Sequence, residues 1–122
     1  MKDFRELKVW EKAHQLTLAV YRAAVFFPKE ELYGLTSQIR RAATSIAANI
    51  AEGHGRENTG SFIQHLRIAQ GSLKELETHL LISEKIGLTR SPESELALDQ
   101  CETLGKRIRL LIRSLQQRIA RA

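Results

Sequence analysis

The chain has 122 residues, 43% hydrophobic and 27% charged, which suits one soluble domain with a single buried core and excludes a disordered chain. Its net charge is +5 and it holds one cysteine, so no internal disulfide can form and the cytoplasm is the expected compartment. No apolar run approaches the roughly 20 residues that cross a bilayer, and the charged opening "MKDFRELKVW" does not read as a secretory signal, so no membrane partner is expected.

Turn signals fall in three stretches, "FFPKEELYG", "GHGRENTGS" and "GLTRSPES". Between them lie segments of helical periodicity, with no strand pattern, repeat or low-complexity tract. The first helix is predicted over about 6–26, with Val9, Trp10, Ala13, Leu16, Val20, Ala24 and Phe27 on one face. Leu7, Leu18 and Val25 form a second apolar stripe that includes His14; one stripe satisfies a monomer, so a second points to another packing partner. The second helix is predicted over about 36–53, with Ile39, Ala43, Ile46 and Ile50 inward and Gly53 and Gly55 as its C-terminal cap. The third, over about 60–86, places Phe62, Leu66, Ala69, Leu73, Leu76 and Leu80 inward, with Ser61 and Gln64 as a capping box and Gly87 as the stop. Ile63, Ile68, Leu81 and Ile82 fall off that stripe. The fourth, over about 92–120, takes Ser91 as N-cap and Pro92 as its first residue. Ala97, Cys101, Leu104, Ile108, Leu111, Ile112, Leu115 and Ile119 make its core stripe. Four amphipathic helices with short connections predict an all-α, antiparallel up-down-up-down four-helix bundle, one domain spanning 1–122.

Catalytic and metal chemistry find no support in the residues. A di-iron bundle needs two Glu-x-x-His motifs and two more inward glutamates, but the chain offers only Glu11 with His14, off the core stripe. His65 and His79 stand fourteen residues apart on one helix, about 21 Å, too far to share a metal. "GHGR" follows a helix, whereas a phosphate-cradling loop precedes one. Cys101 lies on the core stripe and reads as a small buried hydrophobe. No cofactor, no metal and no small-molecule substrate is expected, and the chain is not expected to be an enzyme.

Charge is unevenly placed. Lys106, Arg107, Arg109, Arg113, Arg118 and Arg121 lie in a stretch without one acid, while Glu93, Glu95, Asp99 and Glu102 fill the other half of the same helix. This arrangement complements the helix macrodipole, and it also makes an anion-binding face. Leu110 falls in the middle of the basic half, where a monomer gains nothing from it. The run "AATSIAANIA" has no charge at all, which is unusual for a solvent-facing helix. Small side chains let helix backbones approach closely, so Ala47 and Ala51, with Leu18 and Leu110, are candidate oligomer contacts. Arg40 and Arg41 stand at the wrong end of their helix for its dipole, as does Glu52. They read first as an interior or interface ion-pair network, with Glu75 of a neighbour or an anionic ligand as other partners for the arginines.

The segments "LTSQIRRAATSIAANIAEG" and "SFIQHLRIAQGSLKELETHL", with "FRELKVWEKAHQL" and "VYRAAVFFPKEELYGL" before them, cover nearly the whole chain. They resemble the four-helix-bundle proteins encoded within intervening sequences of large-subunit ribosomal RNA genes. Ala47 departs from that pattern, since many members carry proline after Ser-Ile. The resemblance implies a ring-shaped homopentamer, and a relationship to the accessory protein of diversity-generating retroelements, a basic pentamer that binds nucleic acid and partners a reverse transcriptase.

Two functions follow as expectations. The first is a non-enzymatic oligomer that binds RNA or DNA through Lys106, Arg107, Arg109, Arg113, Arg118 and Arg121, with Arg40, Arg41, Arg56 and Arg67 as weaker candidates. Five copies would carry a charge of about +25, and readout would be of backbone and shape, since Trp10 and Phe62 read as core. The alternative is a protein-interaction scaffold or accessory subunit with no nucleic-acid role.

Overall fold

The computed structural model describes residues 3–88 and 92–121. Among them there are four α-helices and no strand: α1 (Lys8–Ala24), α2 (Leu35–Gly55), α3 (Thr59–Lys85) and α4 (Pro92–Arg121). Single 3₁₀ turns at Phe4–Glu6 and Lys29–Glu31 precede α1 and α2. Each helix packs on two others, α1 with α2 and α4, and α3 with α2 and α4, around one shared core.

The core is built from the predicted stripes. Leu16 and Val20 of α1, Ile39, Ile46 and Ile50 of α2, Leu66, Leu73, Leu76 and Leu80 of α3, and Cys101, Leu104 and Ile108 of α4 are almost wholly removed from solvent. Each such aliphatic side chain contributes about 1.5–3 kcal/mol relative to exposure. Assignments shift at the stripe edges, where Leu111 of α4 is only half-buried against the core. Trp10 and Phe62 are half-buried, packed against the core rather than inside it, and Ile63 is buried in place of Phe62. Ile119 is exposed, as is every residue from 116 to 121, so the buried stripe of α4 ends at Leu115.

Helix ends explain the boundaries. α1 stops before Phe26, Phe27 and Pro28, whose ring cannot continue a helix. α3 is capped by Asn58, not Ser61: the Asn58 side chain accepts from the Ser61 amide at 2.9 Å, and its backbone is extended, as a cap requires. At the other end Gly87 takes φ 77, the Leu88 amide reaches the Ser83 carbonyl, and the Gly87 amide the Glu84 carbonyl, the six-residue and four-residue bonds of a Schellman stop. Ser91, the predicted cap of α4, lies outside the described residues. α2 runs through Gly53 and Gly55 rather than being capped by them, and the left-handed turn falls on Glu57 at φ 55.

The small residues of α2 face α3. Ala42 is buried, the Ser45 and Ser72 hydroxyls share a hydrogen bond at 2.9 Å, and a β-carbon on Gly53 would stand 2.6 Å from Cβ of His65. On the α1 side, the Thr17 hydroxyl donates to the Ala13 carbonyl at 2.8 Å and lies 3.3 Å from the Ala43 carbonyl across the helix pair. One flank of the uncharged run is therefore consumed inside the protomer. Ala47 and Ala51 stay half-buried, and Thr44 and Ala48 are exposed.

Candidate nucleic-acid interface

The second half of α4 carries the largest concentration of positive charge. Beyond Glu102 the helix holds no acid, and its core stripe of Leu104, Ile108, Ile112 and Leu115 is buried. At about 100° per residue, that stripe turns Lys106, Arg113 and Arg121 directly outward. Arg109 stands toward α3, Arg107 toward the start of α1, and Arg118 toward the α2–α3 turn. All six side chains are exposed. From Lys106 to Arg121 the row extends about 22 Å at 1.5 Å per residue.

Little within the chain neutralises this face. Lys106 meets Glu102 one turn back at 3.6 Å, and among the described residues none of the five arginines forms an ion pair. Arg118 lies over the α2–α3 turn beside His54, Glu57 and Phe62, and Arg107 borders a groove against the start of α1. Long, exposed, unpaired guanidinium groups on a rigid helix can each donate to phosphate oxygens in a bidentate manner.

The other predicted residues are dispersed. Arg40 is half-buried with its guanidinium over the Tyr21 ring at 5.1 Å and its Nε buried without a partner. Arg41 is exposed above a shallow depression that also includes Gln38, Ser45, Ser72 and Glu75, and it forms no ion pair. Glu52 takes different partners: Arg56 at 2.9 Å and the His65 Nε2 at 3.1 Å, while His65 Nδ1 meets the Ser61 carbonyl at 2.9 Å. Inside the protomer Arg41 and Glu52 are about 16 Å apart along one helix, eleven residues on, so they cannot pair. Those hydrogen bonds from Arg56 and then from His65 hold the Glu52 carboxyl below the ordinary range for glutamate. Leu18 and Leu110 are both exposed, on different helices and different faces.

Sequence reasoning missed the Glu52–His65 contact. The available signal was Gly53, which lets α2 and α3 approach beside a short turn. It also missed the stack of Trp10 on His14, ring centroids 5.0 Å apart. Among the described residues no group of three or more His, Cys, Asp or Glu side chains stands close enough to hold a metal, and no helix is long and apolar enough to cross a membrane.

A family model described as 23S rRNA-intervening sequence protein matches residues 5–109. The chain belongs to the 23S rRNA-intervening sequence protein family. A solved structure from Bacteroides thetaiotaomicron VPI-5482, a protein of unknown function from the S23 ribosomal protein family, is similar with a TM-score of 0.77 and 23% identity. The similarity covers 85% of this chain and 97% of that one, and at that identity it shows a shared fold. No curated protein matches the chain. Lys106, Arg107 and Arg109 lie inside the part that matches the intervening-sequence family, whereas Arg113, Arg118 and Arg121 lie beyond it.

Proposed function

We propose that this intervening-sequence protein is a non-enzymatic homo-oligomer that binds nucleic acid, RNA or DNA, through the basic half of α4. One observation carries the reading: six exposed Lys and Arg side chains share about 22 Å of one helix with no acid among them. Contact would be with phosphates, because no exposed aromatic ring stands within the row. Binding would therefore be weakly sequence-specific and strongly salt-dependent.

The helices are antiparallel neighbours in an up-down-up-down bundle. Paired contacts support this: Ser45 meets Ser72 while Gly53 meets His65, and Tyr21 meets Arg40 while Thr17 meets Ala43, so residue numbers rise on one helix as they fall on the next. Assembly, a homopentameric ring by resemblance, would use the outer α1/α2 face. There Leu18, Tyr21 and Val25 of α1 remain exposed, the last at 75%, and Ala47 and Ala51 of α2 stay half-buried further along the same helix pair. Arg40 borders this face. Repeating the chain would multiply its +5 charge and set several α4 rows on one nucleic acid.

Fluorescence anisotropy with a labelled DNA duplex and a labelled structured RNA tests the proposal. The wild type is expected to bind at micromolar concentration or tighter in low salt, and the Arg107→Gln/Arg109→Gln/Arg113→Gln variant about tenfold or more weakly. Absence of binding by the oligomer in low salt would overturn it.

A further inference from the structure

Between the first turn of α1 and the middle of α4 runs a groove of about 240 Å³ lined by Leu7, Lys8, Val9, Arg107, Leu110 and Leu111. Its walls are aliphatic. Val9 is buried, Leu7 and Leu111 are half-buried and pack on the core, and Leu110 stands 62% exposed over the opening. Its rim is cationic on both sides. Arg107 has no ion-pair partner, and Lys8 reaches Glu11 only at 3.8 Å. An exposed leucine facing an apolar cleft contributes nothing to a lone chain, since burial on a partner is what would stabilise it.

A nucleic acid does not fill such a groove. Sugar and phosphate are predominantly charged and oxygen-rich and bring no bulky apolar group to fill the cleft, and there is no aromatic ring in the groove on which a base could stack. The complement of an aliphatic cleft between two cations is an apolar side chain flanked by carboxylates. We infer that this groove docks an acidic segment of a partner protein, a leucine or phenylalanine entering between Leu7 and Leu110 while neighbouring Asp or Glu side chains meet Lys8 and Arg107. The pairing is of the kind in which an apolar anchor supplies affinity and rim charges supply orientation. It goes beyond nucleic-acid binding and does not depend on it. Because Arg107 belongs to both surfaces, the acidic segment and a nucleic acid would compete.

The probe is a labelled peptide of Asp and Glu with a central Leu-Phe pair, compared with a peptide in which that pair is Ser-Ser, by anisotropy on the full chain. The first peptide is expected to bind at micromolar concentration and the second at least about tenfold more weakly, the size expected for burying one large apolar side chain. The exposed-site variant Leu110→Ser is expected to weaken the first peptide by a similar factor, and Lys8→Gln to weaken both peptides. Equal binding of the two peptides, or binding indifferent to Leu110→Ser, would overturn the inference. So would a Leu110→Ser variant that loses self-association, or binding to anionic lipid vesicles, while the peptide does not bind, since the occupant would then be a second copy or a lipid. The nucleic-acid reading is judged on its own probes and can stand or fall separately.

Discussion

Burial pushes the Cys101 thiol up to about 12, with the Glu77 carboxylate adding to the effect and Lys74 opposing it. The side chain lies wholly inside the core, so both access and thiolate fraction are suppressed. In the native protein Cys101 is expected to resist iodoacetamide, with labelling appearing only when denaturant unfolds the bundle; labelling at the rate of a free thiol without denaturant would contradict its placement. Glu52 titrates differently. Its carboxyl is held low by Arg56 and His65, so it adds stability above its unfolded pKa, and that stability is lost as pH falls through its folded value. The side chain is more than half exposed, so the effect is small. Urea midpoints of the wild type and Glu52→Gln, compared from about pH 7 to about pH 3, are expected to converge at the acid end. A gap that stays constant across that range would show that the carboxylate charge plays no part.

The four helices and their inward stripes were legible because the apolar spacing is regular and the turns are marked by Pro28, Gly34 and Gly87. What a single helix cannot reveal is where its neighbours end. Ile119 continues the stripe of α4 in sequence yet is half exposed, because burial on that helix ends at Leu115. Trp10 sits at the edge of its stripe, where the ring is half-buried against the core and stacks on His14. Gly53 is the most instructive case. A glycine near a helix end reads as a cap, but here it lies inside α2 and makes space for His65, and the sequence does not distinguish a glycine needed for φ from one needed for room. Gly53→Ala gains up to about 1 kcal/mol of helix propensity. It also drives a methyl group into the His65 Cβ at 2.6 Å and the Phe62 ring at 3.1 Å, and overpacking of this kind costs about 1–3 kcal/mol. A lower urea midpoint is therefore expected for Gly53→Ala. An unchanged or higher midpoint would mean that α2 and α3 part without cost.

At the scale of the whole molecule, charge and apolar surface are segregated. The basic row of α4 was plain in the sequence, as a run without acids, because side chains on one exposed helix need no tertiary knowledge to be placed. The Glu52–His65 contact and the groove beside Leu110 were not, because each joins residues from two helices. The proposed assembly predicts a solution mass by light scattering that is a multiple of 13.9 kDa, reduced by a Leu18→Glu substitution on the outer α1/α2 face. A wild-type monomer at micromolar concentration would contradict it. The central claim, phosphate binding by α4, is tested most directly by the salt dependence of affinity. The logarithm of the association constant for a DNA duplex, plotted against the logarithm of salt concentration, is expected to fall steeply for the wild type. For the Arg107→Gln/Arg109→Gln/Arg113→Gln variant the slope is expected to be shallower by about 0.9 for each phosphate contact removed. Identical slopes for the two proteins would show that these arginines do not touch the nucleic acid.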